Sequence, residues 1–217
     1  MSKVLFKPEN EFTVGKVVCV GQNYQQHIAE LKSKKSKDPL LFLKPSTSIL
    51  HEGEEIILPE FSNEVHHETE LAFLVGKKGK NILKTEWKNY IIGAGIALDL
   101  TLRDVQREAK KYGNPWTISK GFDGSLPISQ FVPLEGISDV QNLTIELYVN
   151  NALRQNGYTG DMIWPVDELV SFISKIFTLE PGDIILTGTP EGVGELNSGD
   201  HLKAIISEVG MMEFHVR

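Results

Sequence analysis

Cysteine is nearly absent from this sequence: Cys19 is the only one in 217 residues. That excludes an intrachain disulfide framework and a multi-cysteine zinc site. It lies in the apolar run Lys16-Val-Val-Cys-Val20, where apolar surroundings suppress the thiolate, so a buried structural thiol is expected rather than a nucleophile. Basic residues are the scarcer charged class, 22 Lys and Arg against 29 Asp and Glu, for a formal net charge of −7. Without a basic surplus, neither a nucleic acid nor an anionic membrane is an expected partner. No apolar stretch approaches the ~20 residues of a membrane span. The opening MSKVLFKPENEF lacks the apolar segment and small-residue cleavage site of a secretory signal. A cytoplasmic protein is the default expectation.

What is present is ordinary globular material, with 41% hydrophobic and 24% charged residues. A chain this long buries roughly 70% of its unfolded surface and needs no staples. Val17 to Val20, Leu40 to Leu43, Glu55 to Leu58 and Glu70 to Val75 read as strands bounded by Pro, Gly or charge. Gly21-Gln-Asn-Tyr24 leads into a short helix through Leu31. The run Lys32-Ser-Lys-Lys-Ser-Lys-Asp38 cannot bury itself and reads as a solvated loop or a mobile lid segment. After the strand Ile91 to Leu98, Thr101 with Asp104 three residues later looks like a capping pair for a helix ending at Gly113. Pro165 opens a second helix with the stripe Leu169, Val170, Ile173 and Phe177. Glu180-Pro-Gly-Asp183 is a tight turn into a strand from Ile184, and His201 to Val216 reads as two strands about Val209-Gly210. Strands outnumber helices and no linker or repeat divides the chain. The expectation is one α+β domain, residues 1–217, with a mostly β core.

The chemistry concentrates in a few places. Glu68 and Glu70 are two apart, so a strand points both carboxylates to one face. Such a pair repels itself unless a cation lies between, although a solvent-facing strand side explains it equally. Asp99 ends an apolar strand where Thr101 already suits the helix cap. Three carboxylates without clustered cysteine suit a hard cation, Mg²⁺ or Mn²⁺ before Ca²⁺. The adjoining His66 and His67 open a zinc or iron alternative, or His66 supports the ligands from behind. His27 and Glu30 are three apart, within reach on a helix, and a carboxylate beside an imidazole makes a base near neutral pH. A surface His–Glu pair has the same spacing. The glycine-rich Gly188-Thr-Pro-Glu-Gly-Val-Gly194 lacks the pattern of a phosphate or dinucleotide loop.

Taken in order, Val65-His-His-Glu-Thr-Glu70, Ala97-Leu-Asp-Leu-Thr-Leu-Arg-Asp104, Trp116-Thr-Ile-Ser-Lys-Gly-Phe-Asp123 and Leu186-Thr-Gly-Thr-Pro-Glu-Gly-Val193 strongly resemble the fumarylacetoacetate hydrolase family. The likeness is closest to its small single-domain acylpyruvases and oxaloacetate decarboxylases and covers nearly the whole chain. The resemblance implies a mixed, mostly β roll with a few short helices, and a homodimer. It implies that Glu68, Glu70 and Asp99 bind Mg²⁺ or Mn²⁺, and that His27 and Glu30 form a catalytic dyad on a lid hinged by the lysine-rich loop. It implies that Lys120 points into the pocket, that Arg103 and Gln106 contact substrate, and that Thr189 with its loop's N–H groups holds a substrate carboxylate.

The function this implies is a metal-dependent hydrolase of acylpyruvates such as fumarylpyruvate or acetylpyruvate. Decarboxylation or tautomerisation of oxaloacetate belongs to the same 2-oxo-acid chemistry. The alternatives are an isomerase or decarboxylase of 2-hydroxyhepta-2,4-dienedioate-type intermediates, and a non-catalytic 2-oxo-acid-binding protein.

Overall fold

The computed structural model describes residues 2–8, 10–31 and 34–217. Its frame is an eight-stranded mixed sheet. Seven strands run in the order Leu40–Lys44, Val17–Gly21, Ile184–Leu186, Thr69–Val75, Ile91–Leu98, Leu126–Ile128 and Ile49–His51. The eighth, Val132–Pro133, pairs with Ile91–Leu98 off that path. Most pairings are antiparallel; Ile184–Leu186 runs parallel to Val17–Gly21, and Leu126–Ile128 parallel to Ile49–His51. This is the mixed, mostly β, α+β architecture expected.

Both faces of the large sheet are covered, which explains why every residue of Thr69–Val75 is buried. On one face Leu71, Phe73, Ile96 and Leu98 join a core shared with Ile145, Leu147, Leu202, Ala204 and Phe214. Those five alternate inward from a four-stranded antiparallel sheet, Ala152–Tyr158, Thr144–Val149, His201–Ile206 and Gly210–His215. On the other face Val17, Cys19, Ala72, Leu74 and Leu186 pack with Val4 and Val14 of the N-terminal segment. Each large aliphatic or aromatic side chain so buried contributes roughly 1.5–3 kcal/mol. Cys19 is fully buried, and burial, reinforced by Asp99, pushes its thiol well above the usual range.

Among the described residues four α-helices sit around this frame: α1 Gln25–Glu30, α2 Arg103–Tyr112, α3 Thr117–Lys120 and α4 Val166–Ile176. Helix α4 buries Leu169, Val170 and Ile173 as its stripe requires, with Pro165 at the N-cap and Phe177 at the C-cap. Helix α2 stops at Gly113, whose left-handed φ of 69° suits glycine. Its start differs from the sequence expectation. Thr101 is no cap: Thr101–Leu102 is a short strand paired with Val65–His66, and Leu102 holds the N-cap position without a side-chain bond. Tertiary pairing overrides the local capping signal. The first turn is tied down instead by Asp104, which accepts from Ser62 Oγ at 2.6 Å and the Asn63 N–H at 2.9 Å. Helix α2 buries Arg103, Gln106 and Ala109. The expected strand Glu55 to Leu58 is absent, leaving one bridge between Ile56 and Val216. In the lysine-rich loop, Lys32 and Ser33 lie outside the described residues, and residues 34–39 carry no regular structure.

Candidate metal centre

Strand register brings the acids together. Thr69 pairs with Leu98 and Glu70 with Ala97, so Glu68 and Asp99 stand opposite each other just beyond the pairing, and the Asp99 N–H donates to the Glu68 carbonyl at 2.8 Å. Cross-strand neighbours of this kind bring side chains within ~5 Å. Carboxylate oxygens of Glu68, Glu70 and Asp99 accordingly lie within 4.8 Å of one another, all three residues buried. No histidine joins this cluster among the described residues. His66 turns to Glu64 at 3.0 Å and accepts from Arg103 Nε at 3.4 Å, so it braces an arginine rather than the carboxylates.

Three cationic side chains surround the acids. Lys120, from α3, places its ammonium 2.7 Å from both Glu68 and Asp99 and 2.6 Å from the Thr101 hydroxyl. Arg103 donates to Glu68 and, at 2.8 Å, to Gln106 Oε1. Lys44, which the sequence did not single out, ends an edge strand fully buried. Its ammonium lies 2.9 Å from Asp99 Oδ1 and donates to Ser125 O at 3.0 Å, Leu100 O at 3.3 Å and the Lys120 carbonyl.

Burial alone would raise the Glu68 carboxyl, but Lys120 and Arg103 hold it well below the usual carboxylate range. Burial would likewise lower Lys120, yet Asp99 and Glu68 keep it above an ordinary lysine. Burial wins at Lys44, whose ammonium is pushed down despite Asp99. Glu70 differs from its neighbours. Among the described residues it has no lysine or arginine within ion-pair distance; the Gly188 N–H donates to its Oε2 at 2.6 Å. Burial and the charges of Asp99 and Glu68 push its carboxyl well above the usual range. A buried carboxylate short of positive charge, in an all-oxygen cluster, fits a hard divalent cation.

Above the acids lies a narrow cavity, lined among others by His27, Lys110, Trp116 and Thr189. Helix α1 carries His27, buried, with Nδ1 3.1 Å from Glu30 Oε2. The other oxygen of Glu30 accepts from the Gly192 N–H at 3.0 Å. Asn23 anchors the loop before α1, donating to the Thr187 carbonyl at 2.7 Å and accepting from the Trp164 N–H at 2.8 Å. The glycine-rich loop thus spends the N–H groups of Gly188 and Gly192 on Glu70 and Glu30 rather than offering them to a ligand. Its contribution to the cavity is Thr189. Gln155, also unflagged by the sequence, is fully buried in the second sheet and joins the loop to the strand Thr69–Val75. Its Oε1 accepts from the Thr69 N–H at 3.0 Å, while its Nε2 donates to Thr189 Oγ1 at 2.8 Å and Pro190 O at 3.0 Å.

Comparison with known proteins agrees with this architecture. The description "Fumarylacetoacetate (FAA) hydrolase C-terminal" fits residues 16–217. Mouse oxaloacetate tautomerase FAHD1, mitochondrial, is 46% identical over 201 residues, 93% of this chain and 91% of that one. Oxaloacetate tautomerase YcgM of Escherichia coli K12 is 47% identical over 193 residues, 88% of each chain. The crystal structure of fumarylpyruvate hydrolase from Pseudomonas aeruginosa, in complex with Mn²⁺ and pyruvate, superposes with a TM-score of 0.94 at 32% identity, covering 99% of this chain and 95% of that one. On sequence, fold and the extent of both matches, the chain belongs to the fumarylacetoacetate hydrolase family.

Proposed function

We propose that this protein is a divalent-metal-dependent enzyme of small 2-oxo acids, interconverting the keto and enol forms of oxaloacetate or cleaving an acylpyruvate of the fumarylpyruvate type. The observation that carries this reading is the buried Glu68–Glu70–Asp99 cluster opening into a cavity beside the His27–Glu30 pair. The relatives at 46% and 47% identity favour oxaloacetate tautomerisation. The superposition on the fumarylpyruvate hydrolase favours C–C hydrolysis. The all-oxygen donor set favours Mg²⁺, with Mn²⁺ as a substitute and Ca²⁺ a poorer one.

A divalent cation held by these carboxylates supplies Lewis acidity for the carboxylate and 2-keto oxygens of the substrate. The chain's own groups handle the protons and the orientation. A carboxylate only accepts, so the Glu30 contact puts the proton of neutral His27 on Nδ1 and leaves Nε2 free. That nitrogen takes a proton from substrate C3 in tautomerisation, or from the attacking water in hydrolysis. Lys120 offsets negative charge developing on the substrate. Arg103 occupies Gln106 Oε1, so the Gln106 amide hydrogens are left for a ligand. Gln155 donates to Thr189 Oγ1, so the hydroxyl hydrogen of Thr189 is free to donate to a substrate oxygen.

The test is a panel of oxaloacetate, acetylpyruvate and fumarylpyruvate with Mg²⁺, Mn²⁺ or chelator. Turnover should require metal and fall roughly a thousandfold or more in Glu68→Ala and in Asp99→Ala. Near-normal rates in either variant would sink the assignment. His27→Ala should retain metal binding but lose turnover by about 10²–10⁴-fold.

We further infer one catalytic unit over residues 1–217 that works as a homodimer. The supporting feature is the sheet edge Leu40–Lys44, beside which Leu43 and Ile118 are exposed, and open apolar edges call for cover. Light scattering should give twice the chain mass of 24.2 kDa. The free thiol Cys19 suits a reducing compartment such as the cytoplasm.

A further inference from the structure

The cations nearest the acids are already engaged. Lys44 is paired with Asp99, Lys120 with Glu68 and Asp99, and Arg103 with Glu68. Lys110 lines the same cavity, yet among the described residues it makes no ion pair; its ammonium rests 5.1 Å from the ring centroid of Trp116, another cavity wall. Arg103, Gln106 and Lys110 are spaced by three and four, so they share one face of α2. Seven residues of helix advance about 10 Å. Helical side chains lean toward the N-terminus, which brings the Lys110 stem back over the cavity. Lys110 is exposed as a whole and stands at the cavity's rim, where partial desolvation and Arg103 lower its pKa, a penalty that a bound carboxylate would reverse.

Charge arithmetic points to the occupant. The three carboxylates of the cluster formally balance Lys44, Lys120 and Arg103 before any metal is added. A divalent cation then leaves two positive charges in excess, and Lys110 adds a third at a distance from the cluster. A monocarboxylic 2-oxo acid engages the metal end alone. A dicarboxylic one places its second carboxylate where the unpaired ammonium stands.

We propose that Lys110 receives the distal carboxylate of a dicarboxylic 2-oxo acid and thereby sets a preference for dicarboxylates over monocarboxylic acylpyruvates. This rests on the 2-oxo-acid reading of the site. The test compares wild type, Lys110→Met and Lys110→Arg, each with Mg²⁺, on oxaloacetate and acetylpyruvate. Dissociation constants come from tryptophan fluorescence and kcat/KM from turnover. Lys110→Met should weaken oxaloacetate binding about tenfold or more, the loss of one charge-assisted hydrogen bond. The oxaloacetate-to-acetylpyruvate ratio of kcat/KM should fall by a similar factor, and Lys110→Arg should restore most of it. Equal losses on both acids make Lys110 a general wall of the cavity and overturn the proposal, as does no loss on either. A wild type that binds neither acid overturns the functional reading itself, and that result is distinct because it precedes any variant.

Discussion

Lys44 shows how much of the site depends on residues that never reach a substrate. It is buried at the end of an apolar strand, paired with Asp99 and donating to the backbone carbonyls of Leu100 and Ser125. Lys44→Met keeps the stem but leaves Asp99 with Lys120 as its remaining cation. Breaking one partner out of a buried pair costs about 3 kcal/mol. Urea unfolding should register that loss, and an unchanged midpoint would show that Asp99 is satisfied without Lys44. Gln155→Leu tests the other hidden residue. The Thr69 N–H would lose its acceptor and the Thr189 hydroxyl its fixed orientation, so KM should rise more than kcat falls, with about 1–3 kcal/mol of stability lost. Neither residue was legible in the sequence. A lysine closing Leu-Leu-Phe-Leu reads as a strand end entering solvent, and a glutamine in Arg-Gln-Asn-Gly carries no pattern. Spacing put Glu68 with Glu70 and His27 with Glu30 in reach of each other but left a solvent-facing or surface pair open, Asp99 stood out by its place at a strand end, and it was the family resemblance that singled the five out.

At the level of elements, periodicity carried far and local capping chemistry did not. The strands Val17–Gly21, Thr69–Val75 and Ile91–Leu98 announce themselves as apolar runs, and their pairing fixes Glu68 against Asp99. Thr101 failed as a cap and Glu55 to Leu58 failed as a strand for one reason: partners distant in sequence decide whether a short segment pairs. The loop after Ile184–Leu186 is a junction of this kind. Gly188 has φ of 92°, its N–H holds Glu70, and an added Cβ would stand 2.8 Å from the Asn23 Cβ. Gly188→Ala therefore strains the backbone and presses on the loop that launches α1. A cost of about 1–3 kcal/mol follows from the left-handed conformation alone. Metal affinity should fall as well, because Glu70 loses its fixed orientation. Isothermal titration with Mn²⁺ is the measurement, and wild-type affinity in a destabilised Gly188→Ala protein would separate the loop from the metal site.

Across the whole molecule, the two sheets enclose a core that is complete without any metal, while in the acid cluster at the sheet's end Glu70 has no cationic partner within ion-pair distance among the described residues. His27, Lys44, Glu68, Asp99, Lys120, Gln155 and Thr189 arrive from segments spread along the chain, so a cation binding there binds the folded state alone. Linkage then requires thermal stability to rise with metal, by about 2.7 kcal/mol at a hundred times Kd. For a chain of this size that is roughly 5–10 °C in Tm. Glu70→Gln sharpens the expectation because its two effects have opposite signs. Without metal, it replaces a buried carboxylate lacking a cationic partner by a neutral amide of the same shape. Its Tm should therefore equal or exceed that of chelator-treated wild type. With Mn²⁺ or Mg²⁺ added, the variant should show little of the wild-type increase, since a ligand has been lost. Scanning calorimetry of both proteins across a metal series decides the matter: a full metal-induced shift in Glu70→Gln would remove Glu70 from the ligand set, whereas a stable apo variant blind to metal ties the unpaired Glu70 carboxylate to the cation.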